Sequence, residues 1–451
     1  MIENLNEKNK KTNENIEENR KRVAFSTLGC KVNSYDTEAM MEIFEAAKYK
    51  IVDFSDCADV YVINTCTVTH LGDRKSRNMM RKAKRMNPKA VIVAVGCYVQ
   101  VAPEEVKAIE EVDLIIGTQK RAEIVRYVEA YQQDKSQNDF VLDIMQDHQY
   151  EDLNITETKG RTRAFLKIQE GCSQFCTYCI VPFARGPVRS RDLKAVVAEV
   201  QRVVAHGYFE VVLTGIHIAS YGVDLKGEID LLDLIRAVSA VEGLKRIRLG
   251  SLEPLLLTET FVKGLAQINQ FCPQFHLSLQ SGCDTVLKRM GRHYTTHQYA
   301  EIVKRVRHYF KHSSITTDIM VGFPGETEEE FQETLDFVKK IRFYQVHVFK
   351  YSRRRGTKAD GFQDQVDETI KHERSSRLIK LAKLYEREFL KENNGLQCEV
   401  LFEQSKEDGV YEGHTPHYIP VILKTDQKIN GNIMNIELLY KEKYQVTGKL
   451  I

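Results

Sequence analysis

The chain has 451 residues, of which 42% are hydrophobic, so it is long enough for about three folded domains with substantial cores. Its formal net charge is only +2, which excludes binding to a polyanion through overall charge and leaves only local basic patches for that purpose. No apolar stretch approaches the ~18 residues of a membrane helix, so we expect a cytoplasmic protein with no membrane partner. Thiols stay reduced there, and clustered cysteines indicate metal binding or catalysis rather than disulfides.

The amino-terminal part of the chain divides into a tail and a first domain. Residues 1–20 are a polar mixture of Asn, Lys and Glu without the apolar run of a secretory signal, and we predict a disordered tail. Between residues 21 and 135, short apolar strands alternate with helical stretches, which predicts an open parallel α/β domain. The predicted strands are 23–28, 59–63 and 91–95, and the predicted helices begin near Asp36, Asp73 and Pro103.

Three cysteines of this domain come directly after successive predicted strands, namely Cys30, Cys66 and Cys97. The carboxyl ends of parallel strands meet at one edge of a sheet, so we predict that the three thiols lie together and bind a metal centre. The ordinary alternative for each cysteine alone is an inert buried thiol. Cys57 precedes its strand and stays outside the predicted site.

The helix predicted at 73–89 is strongly basic. One acid, Asp73, stands against a set of basic residues: Arg74, Lys75, Arg77, Arg81, Lys82, Lys84, Arg85 and Lys89. Such a run is often only a solvated helix face. The excess of one sign nevertheless indicates a polyanionic partner, with nucleic-acid phosphates as the best candidate.

A polar segment at 136–157 is predicted to be a linker, and a second α/β domain follows at 158–388. Its predicted strands are 164–168, 210–213, 246–249, 276–279, 316–321 and 345–349, with helical stretches at 192–205, 299–310 and 328–340. Six such strands predict a partial (β/α)6 barrel whose active face lies at the strand carboxyl ends. Glycine-containing loops at that face are weak evidence by themselves, and His217 in one of them is expected to be structural.

The first βα loop of this barrel contains three cysteines at C-x-x-x-C-x-x-C spacing, Cys172, Cys176 and Cys179. A zinc site needs a fourth Cys or His nearby, and a bacterial ferredoxin run needs a fourth Cys followed by Pro; the following residues supply neither. Three thiolates can hold three irons of a cubane and leave the fourth iron open. The spacing therefore predicts an open-site iron–sulfur cluster.

Residues 389–451 change character again, with short strands separated by glycine and polar turns at 398–402, 417–423 and 443–446. They predict a small all-β barrel. Many such barrels bind RNA, but this segment has seven Lys against nine Asp or Glu from residue 391 onward. Any RNA binding here is expected to use a local face and aromatic residues such as Phe402, Tyr411 and Tyr418.

From residue 21 onward, the chain resembles the radical S-adenosylmethionine methylthiotransferase family. That family joins a three-cysteine N-terminal domain, a C-x-x-x-C-x-x-C partial barrel and a C-terminal TRAM domain in the same order. The segments TLGCKVN at 27–33, NTCTVT at 64–69 and GCY at 96–98 are similar to the branch that acts on threonylcarbamoyl-adenosine next to the tRNA anticodon. Other branches act on isopentenyl-adenosine or on a ribosomal protein, and a non-catalytic iron–sulfur RNA-binding protein is the alternative from another class.

The resemblance implies two [4Fe-4S] clusters. Cys172, Cys176 and Cys179 would hold the one whose open iron binds S-adenosylmethionine and produces a 5'-deoxyadenosyl radical. The trio of Cys30, Cys66 and Cys97 would hold an auxiliary cluster that carries the sulfur. One S-adenosylmethionine would supply the methyl group and another the radical.

The resemblance also implies further contacts and partners. Residues at positions that contact S-adenosylmethionine in such barrels are Tyr178, Gly215, Ser278 and Gln280. The partners are the tRNA anticodon stem-loop, a reducing electron-donor protein and a sulfur donor whose identities the sequence does not encode. Where the family often has prolines, this chain has Arg353 and Arg355, which puts the expected rigid turn in doubt. We expect Cys272, Cys283 and Cys398 to be buried spectators.

Overall fold

The structure is a computed structural model that describes residues 20–156, 162–442 and 444–451, so the predicted tail lies almost entirely outside it. The chain forms two compact units. The first ends at residue 155 and also includes residues 180–187; the second comprises the rest. No helix in the described ranges is long and apolar enough to cross a bilayer.

The first unit is built on a six-stranded sheet in which every pair of neighbours is parallel. Its strands, in the spatial order β2-β1-β3-β4-β5-β6, are β1 Arg22–Thr27, β2 Lys50–Val52, β3 Val60–Thr65, β4 Val91–Gly96, β5 Leu114–Ile116 and β6 Asp139–Phe140. Every residue of β3 and β4 is buried, as expected when helices cover both faces of a parallel sheet. The predicted open parallel α/β domain is confirmed.

The helices of this unit are α1 Lys31–Ala46, α2 His70–Met86, α3 Cys97–Val101, α4 Pro103–Lys107, α5 Ile124–Gln133 and α6 Val181–Arg185. The start of α1 near Asp36 was predicted five residues too late, because Cys30 is already the N-cap and Val32 and Tyr35 pack inward from the first turns. Helix α2 also begins earlier than predicted. The Thr69 side chain caps it by accepting a hydrogen bond from the Gly72 N–H.

The segment predicted as a linker has structure of its own in this unit. It supplies β6 to the sheet, and Leu153 and Ile155 are buried against α1 residues. The Tyr35 hydroxyl donates a hydrogen bond to the Leu153 carbonyl. The sequence did not predict this packing, because the segment is mostly polar and only a few of its apolar residues are buried.

The second unit contains the partial barrel, with strands β7 Arg163–Glu170, β8 Arg189–Ser190, β9 Glu210–Gly215, β10 Arg246–Leu249, β11 Gln274–His276, β12 Ser314–Val321 and β13 Gln345–Lys350. Strands β7, β9 and β10 are parallel neighbours, as are β11, β12 and β13. The two groups join through Leu252, whose N–H donates to the His276 carbonyl at 2.8 Å and whose carbonyl accepts from the Ser278 N–H at 3.1 Å. The predicted six-stranded partial barrel is confirmed, although β11 ends three residues earlier than expected.

The helices of this unit are α7 Leu193–Ala205, α8 Leu231–Ser239, α9 Glu259–Ala266, α10 Asp284–Met290, α11 Thr296–Tyr309, α12 Glu328–Ile341 and α13 Glu368–Glu392. They bury one face of the strands in a single apolar core. The Asp230, Thr295 and Thr327 side chains begin α8, α11 and α12 with capping boxes. The opposite face of the strands is left to line the inside of the partial barrel.

A closed five-stranded barrel ends the second unit and confirms the predicted small all-β fold. Its strands are β14 Gln397–Glu407, β15 Val410–His414, β16 Pro420–Lys424, β17 Ile433–Tyr440 and β18 Val446–Leu450. The expectation that Phe402 and Tyr411 bind RNA is wrong for this structure, because both side chains are buried in the barrel core. Tyr418 stacks on His414 and lies under the Arg163 and Arg248 guanidinium groups.

Buried charges attach the small barrel to the amino-terminal ends of the partial-barrel strands. Glu210, the first residue of β9, accepts a hydrogen bond from Arg248 Nε at 2.9 Å, with Arg246 at 3.7 Å and Arg163 at 3.9 Å. Arg246 and Arg248 also donate to carbonyl oxygens of the small barrel, including that of Pro416 at 2.9 Å. Burial alone would raise the pKa of Glu210, but the arginines more than offset it and hold the pKa below its ordinary value.

We predict that Glu210→Ala lowers the free energy of unfolding by about 3–5 kcal/mol, because it leaves buried guanidinium groups without their carboxylate. Urea unfolding measures the change. The Glu210 contribution should be fully present at neutral pH, begin to fall near the ordinary carboxyl pKa of 4.5 and be lost as pH falls through the lower pKa of the folded protein. Glu301→Ala, at an exposed ion pair of 3.9 Å, is the control and should change stability by less than about 0.5 kcal/mol. Equal effects of the two substitutions would contradict the role given to the buried network.

Candidate active site

Three cysteines of the first unit stand at the carboxyl edge of its sheet, as the sequence predicted. Cys30 follows β1 at the N-cap position of α1, Cys66 directly follows β3, and Cys97 directly follows β4 as the first residue of α3. Burial raises the pKa of the Cys97 thiol to about 11, and the charges of Cys30 and Cys66 act on it in the same direction. Because β1, β3 and β4 are neighbouring parallel strands, the three thiols lie at one edge of the sheet.

Arg185, from the short helix α6, is held against these thiols. Its Nε donates to the Cys97 sulfur at 3.1 Å, and its charge opposes the rise in the pKa of both Cys97 and Cys66. Two further contacts fix the guanidinium: Nη1 donates to Asp36 at 3.0 Å and Nη2 donates to Asn33. Sequence reasoning missed Arg185, because it lies 88 residues from Cys97 and belongs to no motif.

Asp36 and Asn33 are also anchored. Asp36 is fully buried and receives a second guanidinium, that of Arg121. The Asn33 amide donates to the carbonyls of Leu28 at 2.7 Å and Thr65 at 2.9 Å, which ties the loops before Cys30 and Cys66 to each other. The first turns of α1 thus hold two of the cysteine loops in place.

The absence of a side chain at Gly29 leaves room for the Cys66 thiol. Its φ of 107° is one that L side chains rarely adopt, and a Cβ there would lie 3.0 Å from the Cys66 sulfur. A side chain at this position would therefore press on the thiol as well as strain the backbone.

The second trio lies in the loop after β7, in the second unit. The Cys179 N–H donates to the Cys176 carbonyl at 2.9 Å, and Phe175 between the first two cysteines has a left-handed φ of 47°. Thr177 fastens the loop to the end of α10, because its N–H donates to the Met290 carbonyl and its hydroxyl to the Arg289 carbonyl, each at 2.9 Å. Backbone contacts thus determine the shape of the loop.

A chain of polar side chains extends from this loop. Arg292 Nη1 donates to the Cys176 sulfur at 3.3 Å, and its Nη2 donates to Glu253 at 2.5 Å. His217 lies beyond, with Nε2 3.9 Å from Glu253 and Nδ1 2.7 Å from the Ser220 hydroxyl. Burial would raise the pKa of Glu253, but His217 and Arg292 more than offset it and lower that pKa.

Sequence reasoning missed Glu253 and Arg292, which lie outside the glycine loops and cysteine motifs that it used. Burial raises the pKa of Cys172 to about 11, while the charge of Arg292 acts in the opposite direction. As in the first unit, a buried guanidinium lies beside a trio of thiols. A negatively charged group bound by the thiols would gain from it.

The residues predicted to contact S-adenosylmethionine lie on this same unit. Gly215 ends β9, where a Cβ would come within 2.9 Å of the Gln169 side chain. Beyond β11, the Ser278 carbonyl accepts from the Tyr294 hydroxyl at 2.6 Å, and Gln280 has a left-handed φ of 69°. Tyr178 lies against Phe323, with ring centroids 6.4 Å apart. The S-adenosylmethionine contacts of these four residues stay predictions.

The remaining predicted residues have plain structural positions. Cys272 and Cys283 are buried, Cys398 is half-buried and Cys57 is exposed. Arg353 forms an ion pair with Asp360 at 2.5 Å, and Arg355 is exposed. The turn that follows has Gly356 at a φ of 88°, so glycine rather than proline shapes this segment.

The chain is similar to known proteins over most of its length. Residues 22–117 match the model of "uncharacterized protein family UPF0004", and residues 166–338 match that of the radical SAM superfamily. The chain is 44% identical to a threonylcarbamoyladenosine tRNA methylthiotransferase of Bacillus subtilis, over 92% of this chain and 93% of that protein. It is 34% identical to a tRNA-2-methylthio-N(6)-dimethylallyladenosine synthase of Clostridium novyi, over 96% and 97%.

Among solved structures, the chain resembles a radical S-adenosylmethionine methyltransferase of Kitasatospora setae that has cobalamin and a [4Fe-4S] cluster bound. The TM-score is 0.57, with coverage of 87% of this chain and 80% of that one. At 13% identity, the likeness concerns the fold alone.

We predict that Gly29→Ala lowers the iron content of the anaerobically reconstituted protein, because the new methyl group presses on Cys66. Gly207→Ala is the matched control: its φ of 90° carries similar strain, but open space surrounds the position. Each substitution should cost about 1–2 kcal/mol of stability from the backbone alone. Iron and sulfide assays should show a loss only for Gly29→Ala, and equal iron in both variants would contradict the prediction.

Proposed function

Because the chain belongs to the radical S-adenosylmethionine tRNA methylthiotransferases, as the sequence motifs predicted, we propose that it converts threonylcarbamoyl-adenosine in tRNA to its 2-methylthio derivative. The identity of 44% to the Bacillus subtilis enzyme over almost the full length of both chains is the observation that supports this substrate. The 34% identity to an enzyme acting on dimethylallyl-adenosine makes that base the alternative.

Two trios of thiols fit the cofactors that the activity requires. Each trio offers three sulfur ligands with a guanidinium donating to one of the sulfurs, at Cys97 and at Cys176. This donor set suits a [4Fe-4S] cluster with one open iron. In the proposed enzyme, Cys172, Cys176 and Cys179 hold the cluster that binds S-adenosylmethionine, and Cys30, Cys66 and Cys97 hold the auxiliary cluster. When bound, these groups supply the radical, the methyl group and the sulfur.

The chain's own residues orient the ligands and balance charge. Arg292 is fixed between Cys176 and Glu253, so it places a positive charge where the thiolate-bound cluster adds negative charge. Arg185 does the same beside Cys97, and its contacts to Asp36 and Asn33 keep it from leaving the thiols. By resemblance to the family, we assign four further residues to the S-adenosylmethionine site: Tyr178, Gly215, Ser278 and Gln280.

We assign tRNA binding in part to α2. Three of its basic side chains are used within the first unit: Arg77 donates to the Tyr98 hydroxyl at 2.8 Å, and Arg81 and Lys84 pair with acids. Arg74 and Lys75 are exposed, and neither forms an ion pair with an acid among the described residues. They are available to phosphates.

The reaction also needs an electron donor and a sulfur donor, which we expect to be separate from this chain. We place it in the cytoplasm, where thiols stay reduced and tRNA is present.

The function is tested in a deletion strain complemented with variants of the gene. We predict that wild type restores 2-methylthio-threonylcarbamoyl-adenosine and that both triple variants, Cys172/176/179→Ala and Cys30/66/97→Ala, do not. In vitro, only the first should abolish 5'-deoxyadenosine formation, and each should reduce iron from about eight to about four per chain. Nucleoside mass spectrometry, chromatography and iron assays give these readouts.

Cys57→Ala is the control, because this exposed thiol lies outside both trios. The substitution should change neither the modified nucleoside, nor 5'-deoxyadenosine formation, nor the iron content. Unchanged methylthio-threonylcarbamoyl-adenosine in the deletion strain would refute the proposed substrate. Loss of methylthio-dimethylallyl-adenosine instead would establish the alternative.

For α2, we predict that Arg74→Glu with Lys75→Glu weakens tRNA binding and lowers the slope of log affinity against log salt by about 1 to 2, as the loss of two phosphate contacts requires. Filter binding over a salt series measures the slope. Lys263→Glu with Lys304→Glu, at exposed positions on α9 and α11, is the charge-matched control. An equal loss in both double variants would mean that only net charge matters.

A further inference from the structure

Three strands of the partial barrel place polar side chains on its inner face. Along β12, Ile315, Ile319 and Val321 point into the apolar core shared with the helices. Side chains alternate along a strand, so Thr316, Asp318 and Met320 point to the opposite, inner face. The parallel register aligns His276 of β11 with Thr316, and Asp318 with His347 of β13. His276, Asp318 and His347 therefore share that inner face.

These three side chains form a compact cluster whose ligand atoms all lie within 4.8 Å of one another. His276 Nε2 lies 3.2 Å from Asp318, and its Nδ1 lies 2.9 Å from the Thr316 hydroxyl, so both ring nitrogens are oriented by neighbours. The His347 ring lies 5.7 Å from that of His276 and is exposed. The cluster can thus reach a ligand inside the barrel while its inner histidine stays fixed.

An exposed aromatic ring lies beside the cluster. Phe349 is two residues beyond His347 on the same face of β13, aligned with Met320, and is 49% exposed. Ligand sites combine apolar and aromatic side chains with a few placed polar groups, and Phe349 supplies the apolar part beside this cluster. Aromatic rings of this kind stack on nucleobases. A bare metal ion would make no use of the ring.

We propose that this surface, His276, Asp318, His347 and Phe349, is the subsite that recognises the amino-acid substituent of the modified adenosine, with Phe349 lying against its base. The inference rests on the proposed function. A threonylcarbamoyl group carries a carboxylate, a hydroxyl and ureido N–H groups. The exposed His347 imidazole can donate an N–H to the carboxylate, and the Asp318 carboxylate can accept from the hydroxyl or a ureido N–H while His276 holds it in place.

The same cluster explains how the alternative base is rejected. A dimethylallyl group has no polar atom, so its binding would take water from the exposed His347 imidazole and from the Asp318 carboxylate without offering either of them a hydrogen bond. Sites built to hydrogen-bond a substrate discriminate strongly against analogues that lack the bonding group. The subsite therefore selects between the two bases on which related enzymes act.

His347→Leu tests the subsite, because it removes the ring N–H at an exposed position where folding should be little affected. The substrates are anticodon stem-loops carrying either threonylcarbamoyl-adenosine or dimethylallyl-adenosine, with the cluster-loaded full-length protein. We expect KM for the first stem-loop to rise roughly tenfold to a hundredfold, the usual effect of losing a hydrogen bond to a charged group, and to rise more than kcat falls. His347→Gln, which keeps an N–H donor, should recover most of the affinity.

Two readouts separate recognition from a structural effect. Iron content and tRNA-independent release of 5'-deoxyadenosine should be unchanged in His347→Leu. His297→Leu, an exposed histidine of α11, is the matched control and should leave KM unchanged.

The experiment distinguishes failure of the proposed function from failure of the subsite assignment. If wild type does not act on the threonylcarbamoyl stem-loop, the proposed function fails and the subsite assignment falls with it. If wild type acts on it and His347→Leu retains the wild-type KM, the subsite alone is wrong. Retention of one equivalent of zinc or manganese by dialysed wild type, lost in His347→Leu, would also overturn the assignment by making the cluster a metal site.

Discussion

A buried guanidinium next to a trio of thiols is the interaction on which both candidate cluster sites depend. Three thiolates brought together in a partly buried place repel one another and lose solvation. Arg185 opposes this cost beside Cys97, and Arg292 does so beside Cys176. Each arginine is itself held by a carboxylate, Asp36 or Glu253, so the positive charge cannot swing away. Both units therefore place an arginine, held by a carboxylate, beside three thiols.

In the second unit, the two ends of the parallel strands have different roles. At the amino-terminal ends, Glu210 and its arginines bind the small barrel through buried ion pairs and backbone carbonyls. That arrangement leaves the carboxyl ends and the inner face for ligands, as is usual in open and closed α/β barrels. The small barrel also uses Tyr418 at this junction, where it lies under Arg248. Attachment to the partial barrel is thus one clear role of the C-terminal fold.

The sequence predicted the features that repeat or have fixed spacing. Alternating apolar strands and helices identified the two α/β folds, short strands between glycine and polar turns identified the small barrel, and the cysteines marked strand ends. Arg185, Glu253 and Arg292 could not be found in this way. Arg185 contacts Cys97 from 88 positions away, and Arg292 contacts Cys176 from 116 positions away. Glu253 acts through Arg292, 39 positions away, and each of the three looks like any charged residue in its own segment. The inner-face cluster was missed for the same reason: only the register of β11 to β13 brings His276, Asp318 and His347 together. Helix α1 begins at Lys31 rather than near Asp36, because Tyr35 is buried against the core and belongs to the helix.

The N–H···S contacts of Arg185 and Arg292 have a consequence for redox behaviour. Reducing an iron–sulfur cluster adds negative charge, and a hydrogen bond or a cation at a ligating sulfur stabilises that extra charge. Each guanidinium would therefore raise the reduction potential of a cluster held by its trio, relative to the same thiols among apolar neighbours. The protein can then adjust the electron affinity of each cluster separately, through one arginine, without altering the cysteines that hold it.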